Sequence, residues 1–130
     1  MCDFCENALD EVWPQLNQQK QYSTPDSIKG KPFSIYQISP ENIKIVPQNI
    51  TISRNAFAAA IHYLLENQHN LDHPCEIRSS NSREQAGPLC IAARDQNSDV
   101  RCINYILPIL QNFNIVELDS GRPNKTWLTL

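Results

Sequence analysis

Ile50-Thr51-Ile52-Ser53-Arg54-Asn55-Ala56-Phe57-Ala58-Ala59-Ala60-Ile61-His62-Tyr63-Leu64-Leu65-Glu66 joins a β-branched run directly to an apolar helical stripe. Ser53 stands where its side-chain oxygen can take one of the first free amides of a helix. Beyond it, Phe57, Ala60, Ile61, Leu64 and Leu65 recur at i, i+3, i+4, i+7 and i+8, which places them on one face. The stretch therefore predicts a short strand feeding an amphipathic helix, and the chain on either side is read from this anchor.

Upstream, Phe33-Ser34-Ile35-Tyr36-Gln37-Ile38 and Ile43-Lys44-Ile45-Val46 are β-branched and aromatic runs separated by the turn-prone Ser39-Pro40-Glu41-Asn42. They predict a hairpin. Downstream, Gly87-Pro88 heads Leu89-Cys90-Ile91-Ala92-Ala93-Arg94, and proline suits the first position of a second helix. Asn97-Ser98-Asp99 reads as the cap of a third helix carrying Val100, Ile103, Ile106, Leu107, Leu110 and Phe113 on one side. Pro108, which lacks the amide that would bond Asn104, is expected to bend or split it. Ile115–Leu118 and Thr126–Leu130 flank a polar turn containing Gly121 and form a second hairpin pattern.

The pattern is α+β: an N-terminal β-hairpin, a three-helix core and a C-terminal β-hairpin. Residues 30–130 read as a single domain and residues 1–29 as an acidic N-terminal extension. A short amphipathic helix around Ala8–Gln19 would carry Leu9, Val12, Trp13 and Leu16, and Trp13 would pack it on the main body or on a partner. At 130 residues, with 41% hydrophobic and 19% charged, the composition is that of a globular chain rather than a disordered one. No apolar run approaches the length of a membrane helix. The acidic start Met1-Cys2-Asp3-Phe4-Cys5-Glu6 lacks the marks of a secretory signal, so a cytoplasmic protein with five reduced thiols is expected.

Residues 50–130, in the order strand, helix, helix, helix, hairpin, resemble a winged helix-turn-helix domain. The resemblance is carried by Ile106-Leu107-Pro108-Ile109-Leu110-Gln111-Asn112-Phe113-Asn114-Ile115-Val116-Glu117 with Trp127-Leu128-Thr129-Leu130, which look like the end of a recognition helix, the link into a wing and its return strand. It implies duplex DNA as partner, with Arg101 and Tyr105 on the helix in the major groove and Arg122 and Lys125 on the wing. The chain also has the general look of a small accessory protein of mobile genetic elements. Charge weighs against a broad DNA footprint. The net charge is −3; residues 78–130 hold six bases against five acids, and the rest five against nine. A protein-protein interaction module or homodimer is the alternative, with Trp13 on the extension and Trp127 on a terminal edge strand as contacts.

Cys2-x-x-Cys5 is half of a zinc site by spacing, and His69, His73 and Cys75 could complete it, but the two groups lie far apart in sequence and the plainer reading is ordinary thiols near a mobile end. A redox pair is a rival reading, but such a motif should follow a strand and open a helix, which this one is not expected to do. Cys90 and Cys102 read as core residues and His62 as a helix-surface or core-edge residue. The carboxylates are scattered and three glycines make no phosphate cradle. No catalytic centre, metal or cofactor is expected.

Overall fold

The computed structural model describes residues 2–26 and 30–129. Among the described residues it is an α+β fold with four α-helices and two antiparallel sheets. The anchoring stretch forms as expected: β4 (Ile50–Ser53) runs straight into α2 (Arg54–Glu66), and the Ser53 hydroxyl accepts from the Ala56 amide at 3.1 Å. Ala56, Phe57, Ala60, Ile61 and Leu64 of α2 are buried.

β2 (Pro32–Ile38) and β3 (Asn42–Val46) form the predicted hairpin, and β4 adds to β3 with Ile43 opposite Ile52. Alternation turns Phe33, Ile35, Ile43, Ile45 and Ile52 inward, all at 1% exposure or less. A bulge between Ile35 and Gln37 interrupts the β2–β3 ladder, and Tyr36 within it is exposed. The fourth strand of this sheet, β1 (Gln21–Ser23), pairs with the start of β2.

β1 and α1 (Asp3–Val12) both come from the expected extension. α1 buries Cys5, Leu9 and Val12 at i, i+4 and i+7, and packs on α2. Pro14 ends it: Trp13–Gln15 is a single 3₁₀ turn, so the helix lies earlier than Ala8–Gln19. Cys5, Leu9, Trp13 and Tyr22 belong to the same core as the rest of the fold.

α3 (Pro88–Asp95) starts at the expected proline, capped by Gly87. A Cβ at Gly87 would lie 2.7 Å from that of Arg78, so only glycine fits the approach. α4 (Ile103–Asn112) begins later than predicted. Asn97, Ser98 and Asp99 close α3 instead, with Ser98 and Asp99 at positive φ, and Cys102 is the residue before α4. The helix runs through Pro108 as one element.

The second sheet has the order β5-β7-β6, from β5 (Cys75–Glu76), β7 (Lys125–Leu128) and β6 (Val116–Asp119). The expected terminal hairpin is β6–β7. Its last strand is not an edge, because β5 pairs with Lys125 and Thr126 and the Leu128 amide donates to the His69 carbonyl at 3.2 Å. Leu130, expected in that strand, lies outside the described residues.

Candidate functional site

The residues implicated by the winged-helix resemblance are dispersed and mostly engaged. Tyr105 is 5% exposed, its ring edge-on to Phe33 at 5.2 Å, so it offers nothing to a DNA groove. The periodicity that marked α4 as amphipathic understates its burial: Ile103 and Tyr105 to Leu110 are buried, and only Asn104, Gln111 and Asn112 reach solvent. Arg101 is half-buried just ahead of the helix. On the β6–β7 turn Arg122 pairs with Asp26 at 3.1 Å. Lys125 stands across the ladder from Glu76 on one side and Asp119 on the other. Both wing cations thus sit beside carboxylates that weaken their pull on phosphate.

Trp13 packs the N-terminal helix on the main body, one of the two placements expected of it, and Trp127 is partly exposed. Trp13 is 8% exposed, edge-on to Phe57 at 5.2 Å, with the Arg54 guanidinium 5.4 Å from its ring. Trp127 is half-buried on the central strand β7. Among the described residues the terminal strand, expected as an unpaired edge, lies between β5 and β6.

The structure instead opens a groove of about 570 Å³ between α1 and the segment following α4. Phe4, Ala8 and Val12, on one face of α1, supply apolar lining opposite Phe113 and Ile115. Glu11, Asn114 and Thr129 are among its polar residues. The groove thus joins the N-terminal helix to the end of the C-terminal strand. α1 carries Asp3, Glu6, Asp10 and Glu11 and no basic residue. Arg54, from α2, bridges Asp10 at 2.7 Å and Glu6 at 3.4 Å, which leaves Asp3 and Glu11 as the acids of the helix without a salt bridge among the described residues.

At the start of α1 lies a cluster that sequence reasoning assembled differently. Cys2 is the N-cap residue, its sulfur accepting from the Cys5 amide at 3.2 Å, and Cys2 and Cys5 are joined as a disulfide. The pair therefore opens a helix and is joined, contrary to the expectation of loose reduced thiols away from a helix start. A ring nitrogen of His62 and the two sulfurs lie within 4.8 Å of one another. His69 and His73 stack on each other with centroids 4.7 Å apart and do not join the cysteines. Among the described residues no fourth His, Cys, Asp or Glu joins the cluster, one short of the four ligands of a closed tetrahedral site. Cys90 and Cys102 are free and buried, as expected of core thiols, and Cys75 is free and buried as well. Burial pushes Cys75 up to about 11 and Cys102 up to about 12, so neither is a nucleophile near neutral pH.

No protein-family model, curated protein or solved structure matches this chain. Among the described residues no helix is long and apolar enough to cross a membrane.

Proposed function

We propose that the chain is a protein-interaction module whose contact surface is the groove between α1 and the end of α4, and whose partner presents a segment that is both apolar and basic. The observation that carries this reading is the groove itself, with Phe4, Ala8, Val12, Phe113 and Ile115 lining it beside a helix that bears acids and no bases. Apolar contact supplies affinity, and the acidic helix selects the sign of the partner's charge. A second copy is disfavoured as occupant, since a two-fold contact through this face sets α1 acids against α1 acids. DNA binding through Arg101, Arg122 and Lys125 is the rival reading, and α4 offers it no exposed face.

One titration series decides between them. The full chain is titrated at low salt with an amphipathic Leu/Lys peptide, with its Leu/Glu counterpart and with a duplex DNA, following Trp127 and Trp13 fluorescence. Binding of the Leu/Lys peptide alone, weakened about tenfold or more by Phe113→Ser and by Glu11→Lys, is the expected result. DNA binding lost on Arg122→Ala with Lys125→Ala would instead establish the rival. Light scattering in the same buffers identifies self-association, which would replace the partner by a second copy.

A further inference from the structure

Beyond the groove, the molecule holds a second chemical centre. We propose that Cys2 and Cys5, with His62, form a thiol–disulfide exchange site in which Cys2 is the attacking sulfur and Cys5 the resolving one, acting on disulfides of small thiols of the glutathione class. The proposal does not rest on the groove reading.

Three observations support it independently of one another. The first is asymmetry of access. Cys5 is 0% exposed whereas Cys2 is half-buried, so an incoming disulfide reaches only Cys2. The second is the placement of Cys2 at the N-cap of a ten-residue helix, where the Cys5 amide already donates to its sulfur at 3.2 Å. That donor and the positive end of the helix stabilise negative charge on Cys2. The third is His62, delivered from the middle of α2 to within 4.8 Å of both sulfurs. Its Nε2 lies 2.6 Å from Glu66 Oε2 one turn on, a contact that orients the ring. Asp3 and Glu6 in the first turn oppose a thiolate, and Arg54 at 3.4 Å offsets Glu6 in part.

The exchange proceeds in two displacements. The Cys2 thiolate attacks one sulfur of RS–SR, forming a Cys2–SR bond and expelling RS⁻, which takes a proton from water. Cys5 then gives its proton to His62 and attacks Cys2 Sγ. The Cys2–Cys5 bond forms, the mixed disulfide breaks, and the second RS⁻ takes the proton from the imidazolium. Two electrons and two protons pass from the dithiol to RS–SR, giving two RSH and the disulfide seen in the structure. The same steps reversed reduce it.

The test uses the full chain with oxidised and reduced glutathione, quenched by alkylation and read by mass at each cysteine. The wild-type pair is expected to interconvert reversibly without unfolding. Cys5→Ser accumulates a glutathione adduct on Cys2, and Cys2→Ser forms one on Cys5 at least about tenfold more slowly. His62→Ala slows closure of the second bond by about tenfold while the first is spared. Adducts forming equally on either cysteine, or a wild-type pair that exchanges only when denatured, would overturn the proposal. So would a reduced chain that takes up one Co²⁺ with thiolate-to-metal absorbance and thereafter resists oxidised glutathione, since the cluster would then be a metal site.

Discussion

The indole Nε1 of Trp13 donates to the carbonyl oxygen of Ser39 at 2.7 Å, tying the end of the N-terminal helix to the turn between β2 and β3. Twenty-six residues separate them, and the bond closes the first part of the chain onto the sheet. Trp13→Phe keeps the edge contact with Phe57 but leaves that carbonyl without its donor, and is expected to destabilise the fold by about 1–3 kcal/mol. Urea unfolding followed by the remaining Trp127 reads the change; an unaltered midpoint would show that the bond contributes nothing.

Asn97 is 7% exposed and serves the edge strand β4 like a missing neighbour. Its Oδ1 accepts from the Ser53 amide at 2.9 Å, and its Nδ2 donates to the Thr51 carbonyl at 3.2 Å. Asn97→Asp keeps the shape, removes the donor and introduces a charge, and should cost about 2–4 kcal/mol at neutral pH. The cost shrinks in mild acid as the new carboxyl takes up a proton. Parallel denaturation curves at pH 7 and pH 4.5 check both statements, and a loss independent of pH would contradict the second.

Arg94, 8% exposed, donates to the carbonyls of Ser80 and Asn81 and to Asp99, and Arg83 joins the same carboxylate at 2.9 Å. Arg94 first and Arg83 second hold the Asp99 carboxyl below its ordinary 3.8. A depressed folded-state value means that stabilisation is complete above the unfolded value and is lost as pH falls through the lower, folded one. Acid should therefore remove this contribution as pH falls below about 4. Asp99→Asn is expected to show a shallower decline over that window than the parent, from a lower starting stability. Thermal melts across the range give the comparison, and parallel curves would mean that the pair is silent.

The three core thiols supply an internal control for the exchange site. With burial raising Cys75 to about 11 and Cys102 to about 12, only a minute fraction of either is thiolate at pH 8. In the fully reduced, folded chain, iodoacetamide should modify Cys2 within minutes, and Cys75, Cys90 and Cys102 only after denaturation. Mass mapping of the labelled positions settles it; equal labelling of Cys102 and Cys2 would mean that the core opens on that timescale.

Most regular elements were legible because their signals are local. Ser53 and the stripe from Phe57 to Leu64 define α2 without help from any other segment, and alternation in Phe33–Ile38 and Ile43–Val46 defines the first hairpin. β1 and β5 escaped because three and two residues are too short to show a period, and their partners are remote in sequence. Missing β5 made β7 look like an exposed edge, which was the reason for giving Trp127 a partner. Asn97-Ser98-Asp99 has the composition of a cap, but Asn97 reaches across to β4 and the next two residues turn left-handed. The Cys2–Cys5–His62 cluster depends on how α1 lies against α2, a packing relationship that no spacing along the chain reports.

Phe4 stands between Cys2 and Cys5 and also lines the groove. One helical turn thus belongs to two equilibria, occupancy of the groove and the electron count of the sulfur pair. Thermodynamic reciprocity then applies without further assumption: a partner that grips this turn more tightly in one oxidation state shifts the equilibrium of the sulfur pair toward that state by the same factor. A binding isotherm recorded at a fixed thiol potential, compared with one recorded at another, measures that coupling directly.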